Sequence, residues 1–154
     1  MLAISPIIKK KLGEEKIKNM QDFYAYVDAQ GLGVRKEANR FAAKWIMGYG
    51  GRQVGSFGVQ DGSWSISFLG SLGALASLEK LIGADMKAFV WAHLNTAAYC
   101  CMHKTCNSVE NAVVLGKTVP RRLCVCSPLV IVNPTGTALS QAKALAVACK
   151  NAIL

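Results

Sequence analysis

Six consecutive residues, Ser63-Trp64-Ser65-Ile66-Ser67-Phe68, alternate polar and apolar without a break. A two-residue period places Trp64, Ile66 and Phe68 on one side of an extended chain and the three serines on the other, which is the pattern of a half-buried strand. The same period runs through the preceding residues. Trp45, Met47 and Tyr49 alternate, Phe57 and Val59 alternate, and the dipeptides Gly50-Gly51 and Asp61-Gly62 between these runs are strong signals for tight hairpin turns. Residues 41 to 69 therefore read as a three-stranded antiparallel meander.

Helical spacing surrounds the meander. Ile17, Met20, Phe23, Tyr24 and Val27 share one stripe of a helix over about residues 16–30, with Gly31 and Gly33 as its stop. Leu72, Leu75, Leu78, Leu81 and Ile82 define a second helix that ends at Gly83. Met86, Phe89, Val90 and His93 define a third, over about residues 85–99. Residues 100 to 111 have no period and read as a loop. Ala112 to Leu115 and Leu123 to Val132 read as strands, the latter interrupted at Pro128, because proline cannot donate to a ladder. A last helix over about residues 137–151 turns Leu139, Ala142, Leu145, Ala146, Cys149 and Ile153 inward. The expectation is a single two-layer α+β domain over residues 16–154. It has a three-stranded meander, one or two further strands, and N-terminal, central and C-terminal helices packed on the sheet. Residues 1–15, with Pro6, Gly13 and a lysine run but no period, read as a partly ordered basic arm.

The chain has 154 residues, enough for one core, and apolar residues make up 52% of it, which excludes disordered and fibrous classes. Eighteen Lys and Arg against nine Asp and Glu leave a formal charge of +9. Charge of that size draws polyanions of any kind without selecting among them. Lys9, Lys10, Lys11, Lys16 and Lys18 crowd one end, and no acidic residue follows Glu110. No stretch matches a secretory leader or a membrane span, so a cytoplasmic location is expected, where thiols stay reduced.

Four of the six cysteines could converge: Cys101 and Cys106 flank the loop, while Cys124 and Cys126 lie two apart in an expected strand. Four thiolates, or three with His103, are the donor set of a tetrahedral zinc site. The spacing differs from the usual pairs separated by two to four residues, so a metal site, a reactive thiol pair and inert half-buried thiols all remain open. Cys149, on an inward stripe, reads as core. Gly116-Lys117-Thr118 ends like a phosphate-binding loop, but Asn111 stands where that loop needs its first glycine, and a strand-end turn explains the segment. His93, on an apolar helix face, reads as a core histidine. Trp45 and Trp64, expected on neighbouring strands, offer either a stacking platform or plain core. No catalytic residues stand out, and the acid–base inventory leans away from an enzyme.

The order of features resembles a family of small cytoplasmic proteins of Clostridia and related Firmicutes to which no reaction is assigned. The residues that carry the resemblance are Asp22-Phe23-Tyr24-Ala25-Tyr26-Val27, Ser63-Trp64-Ser65-Ile66, Phe89-Val90-Trp91, the Cys101-to-Cys106 loop, Leu115-Gly116-Lys117, Cys124 and Asn133-Pro134. Family members carry a C-x-x-C loop and a Gly-Lys turn; here Cys100-Cys101-x4-Cys106 replaces the former. The resemblance implies the architecture and the cytoplasmic setting. The functional expectation is a non-catalytic binding or regulatory module that uses the uncovered sheet face or the cysteine loop to hold a small ligand, a metal ion or a protein partner. Nucleic-acid binding through the basic surface and cysteine-dependent redox or enzymatic chemistry are the alternatives. A second copy of the chain also remains open as a partner.

Overall fold

The computed structural model describes residues 1–38, 43–68, 72–96 and 108–153. Its centre is a five-stranded antiparallel sheet in the order β1 (Gly33–Glu37), β2 (Ala43–Tyr49), β3 (Arg52–Gln60), β4 (Ser63–Phe68) and β9 (Leu129–Val132). The first four strands follow one another as a meander. Both of its expected turns form, with positive φ at both central residues: 56° and 78° at Gly50-Gly51, 49° and 76° at Asp61-Gly62. That geometry matches the right-handed twist of the flanking strands.

Pairing in register sorts the side chains into two faces. Trp45, Phe57, Ile66 and Ile131 stand opposite one another across four strands on the inner face, as do Met47, Gly55, Phe68 and Leu129 beside them. Two long helices cover this face. From α2 (Glu14–Ala29), Phe23 meets Phe57 edge-on at 5.6 Å between ring centroids and lies 6.2 Å from Trp64. From α5 (Gly136–Ala152), Leu139, Ala142, Leu145, Ala146 and Cys149 are buried, the stripe read from sequence. The two helices are tied by Lys143, whose Nζ donates to the Asp22 carboxylate at 2.7 Å and lies 5.4 Å above the Tyr26 ring. The domain is thus α+β, with helices packed on an antiparallel sheet.

Several elements differ from the sequence expectation, and the helix expected from Leu72 to Gly83 also ends early, at Ser77. In residues 1–15, expected as a partly ordered basic arm, Pro6–Leu12 form helix α1, and Leu2, Ile4 and Leu12 are buried in the main core. Ser5 caps this helix by accepting from the Ile8 amide, and Pro6 occupies its first turn, where a missing N–H costs nothing. Strand β1 extends the meander to four strands, although its residues are mostly polar and exposed, because an edge strand needs only one partner. The helix expected over residues 85–99 is α4 (Ala84–Ala92), capped by His93. Beyond it the chain runs beside β9: the Val130 amide donates to the His93 carbonyl at 3.1 Å, and the Asn95 amide to the Pro128 carbonyl at 2.9 Å. Those bonds outcompete another helical turn. Finally, the long strand expected over Leu123 to Val132 splits at Pro128 into β8 (Leu123–Cys124) and β9.

Candidate functional site

The second face of the sheet was expected to be bare. Arg35, Ile46, Ser56, Ser67 and Val130 stand opposite one another there, yet Ile46 is only 5% exposed and Ser56 only 8%. Ile46 lies outside the main core cluster, so its burial belongs to this face alone. The three serines of β4 are half-buried. This face is therefore closed at Ile46 and Ser56, while Arg35 and Val132 at its margins are exposed. Lys44 and Glu37 pair at 3.0 Å on it, both partly exposed.

Of the two readings open for Trp45 and Trp64, the structure shows plain core. Trp45 and Trp64 lie on β2 and β4 with β3 between them, and both point into the core. Trp45 stacks on Phe57 at 5.5 Å and 15°.

Of the expected zinc ligands, Cys101 and Cys106 lie outside the described residues, as do Cys100 and His103. Cys124 is buried where β8 pairs with β5 (Ser108–Val109), while Cys126, beyond the end of the strand, is exposed. Their two-residue spacing does not place them on one strand face, because the strand stops at Cys124. Among the described residues no group of three or more His, Cys, Asp or Glu side chains could hold a metal ion.

Gly116-Lys117-Thr118 forms a hairpin between β6 (Val113–Val114) and β7 (Lys117–Thr118), with Leu115 and Gly116 at φ of 49° and 78°. The Lys117 ammonium lies 5.2 Å from the Trp91 ring, whose Nε1 donates to the Val114 carbonyl at 2.8 Å. Lys117 thus braces α4 against the hairpin. His93 Nδ1 lies 2.8 Å from the Phe89 carbonyl, which can only accept, so the ring proton sits on Nδ1. The imidazole also packs on the Phe89 ring at 4.3 Å.

A different site emerges from the N-terminal segment, where sequence reading found only a lysine run. Gln21 of α2 holds residue 2 twice: the Leu2 amide donates to Gln21 Oε1 at 3.0 Å, and Gln21 Nε2 donates to the Leu2 carbonyl at 2.9 Å. Leu2 and Ile4 anchor the same segment in the core. Helix α1 follows, and its Lys11 carbonyl lies against Gly62 of the β3–β4 turn, whose carbonyl accepts from Lys16 Nζ of α2 at 2.8 Å. This path lays residues 1–5 beside the end of β1. A cleft of about 460 Å³ opens there, lined by Met1 to Ser5, Lys9 and Lys36.

Helix α1 buries Leu12 and half-buries Ile8, one turn apart on one stripe. The opposite stripe must then carry Ile7, Lys10 and Lys11, which are neighbours at helical spacings of three and four. All three are exposed, Ile7 at 70%. Among the described residues none of Lys9, Lys10, Lys11, Lys18 and Lys36 joins an ion pair; the three pairs are Lys44–Glu37, Arg122–Glu110 and Lys143–Asp22. The acidic groups nearest in sequence, Glu14 and Glu15, sit in the first turn of α2, where they complement its dipole.

No protein-family model, curated protein or solved structure matches the chain. Among the described residues no helix is long and apolar enough to cross a membrane.

Proposed function

We propose that this chain is a binding module that takes up polyanions through its basic surface. The observation that supports the reading is the N-terminal corner: α1 carries three consecutive exposed lysines, of which Lys9 lines one cleft with Lys36, and no ion pair among the described residues neutralises them. Holding like charges together raises the free energy of the unbound protein, and an arriving polyanion relieves that repulsion while releasing its own counterions. The formal charge of +9 adds a general attraction that steers encounter. Anchoring by Gln21, Leu2 and Ile4 matters because a fixed corner does not lose chain entropy on binding.

The test is a titration of the full chain with a mixed-sequence single-stranded oligonucleotide and with heparin across a salt series. If four lysines meet phosphates, the logarithm of affinity falls with the logarithm of salt at a slope of about −3, so binding weakens about fiftyfold from about 50 to about 200 mM. Binding that is absent at low salt, or indifferent to salt, overturns the reading.

A further inference from the structure

The exposed lysines of α1 do not stand alone. Ile7 lies among them, 70% exposed, on the outward stripe it shares with Lys10 and Lys11, and Met1 is fully exposed on the rim of the adjoining cleft. Surfaces that bind nucleic acid place aromatic or polar groups between their cations, because bases stack and phosphates accept hydrogen bonds. An aliphatic side chain gains nothing from a phosphodiester backbone. Beside a bilayer it gains a great deal: the acyl boundary takes up the apolar group while the headgroup layer holds the ammonium groups.

Resting on the polyanion reading above, we infer that the polyanion is an anionic lipid surface, docked by the N-terminal corner. Ile7 enters the headgroup boundary, and Lys10 and Lys11, which share its stripe, pair with lipid phosphates. The fold suits this role. Leu12 and Ile8 fix the inner side of α1 to the core, so its outward stripe is presented without rearrangement. The short α1 lies on the surface and spans nothing. With one aliphatic side chain and a few lysines, attachment is weak and reversible, because an isoleucine buries far less apolar area than an acyl chain.

Flotation of the full chain with vesicles tests the inference. Vesicles of phosphatidylcholine mixed with phosphatidylglycerol should carry the protein upward, those of phosphatidylcholine alone should not, and added salt should release it. Replacing the three helix lysines together (Lys9→Gln, Lys10→Gln, Lys11→Gln) should weaken partitioning about a hundredfold. The decisive variant is Ile7→Ser, on an exposed position where folding is undisturbed. It should weaken vesicle binding about tenfold while leaving oligonucleotide and heparin binding unchanged. Equal vesicle binding by Ile7→Ser overturns the inference. So does binding of oligonucleotide but not of vesicles, which leaves the polyanion reading standing with nucleic acid as its ligand. Binding of neither overturns both. If soluble glycerol phosphate competes the protein off vesicles at millimolar concentration, the site reads a single headgroup rather than a surface, and the inference falls as stated.

Discussion

Asn133 holds Trp64 by both its backbone amide and its backbone carbonyl. The Trp64 amide donates to Asn133 Oδ1 at 2.9 Å, the Asn133 amide donates to the Trp64 carbonyl at 2.8 Å, and Asn133 Nδ2 reaches Ser63 Oγ at 3.2 Å. These bonds close the gap between β4 and β9, the pairing with the longest sequence separation in the sheet. Asn133 adopts φ of 45°, a left-handed conformation that asparagine tolerates better than most residues. Asn133→Ala should lower stability by about 2 kcal/mol, since it strands the Trp64 amide and places a Cβ-bearing residue without side-chain bonds in a disfavoured conformation. Asn133→Gly should cost less, because only the bonds are lost. Urea denaturation of the two variants separates conformation from hydrogen bonding.

Gly55 has no room for a side chain. A Cβ there would lie 2.5 Å from the Ser67 carbonyl oxygen and 3.0 Å from Met47 Cε, on the inner face between β2 and β4. Gly55→Ala should therefore destabilise by about 3 kcal/mol, since the obstructing atom belongs to a strand backbone that cannot step aside. Gly73, inside α3 (Leu72–Ser77), has nothing within 4 Å of the same construction. Gly73→Ala should stabilise by about 0.5 to 1 kcal/mol through helix propensity. Opposite shifts in the thermal midpoint are the expected result.

Burial pushes the Cys149 thiol well above the ordinary thiol range. In the unfolded chain the thiol loses its proton near pH 9, while in the folded protein it keeps it. The folded state then binds more protons above that pH, so stability falls as pH rises, by about 1.4 kcal/mol per unit. Cys149→Ala should remove this contribution. The two proteins should run parallel in urea midpoint below about pH 8 and diverge above about pH 9, the wild type falling more steeply. A thiol reagent should also leave Cys149 untouched in the native state while modifying the exposed Cys126.

Legibility followed the strength of the local pattern. Residues 63 to 68 alternate strictly and follow an Asp-Gly turn, so strand, face and turn type were all readable, and the stripe of α5 was readable because five inward residues repeat over about three turns. Strand β1 was not, because an exposed edge strand need not alternate: Val34 and Glu37 are half-buried and the rest exposed. Helix α1 is too short for a period, and its real signal was the Ser5-Pro6 start, a cap followed by a proline. The end of α4 was set by contacts with β9 and the residue before it, which come from 33 to 37 positions away. The same limit applies to the basic corner. The lysine run was visible as charge, but its pairing with an outward Ile7 depends on α1 existing, and its position beside Lys36 depends on the tertiary path of residues 1–5.

The two bonds between Gln21 and Leu2 make a prediction about that corner. Leu2 and Ile4 are buried, but residues 1–5 form no helix or strand with a neighbour, so Gln21 supplies the polar fastening. Gln21→Ala removes both bonds, each contributing about 1 kcal/mol, and α1 should then open more often without unfolding the sheet. Trypsin cuts after lysine, and Lys9, Lys10 and Lys11 become substrates only when α1 is open. If opening is fast relative to cleavage, the initial cutting rate at these sites should rise about ten- to thirtyfold. The thermal midpoint should shift by only a few degrees, since the main sheet and the α2–α5 layer keep their contacts. Unchanged proteolysis would show that burial of Leu2 and Ile4 alone holds the segment. A rise in cleavage throughout the chain would show that the segment belongs to the global folding unit.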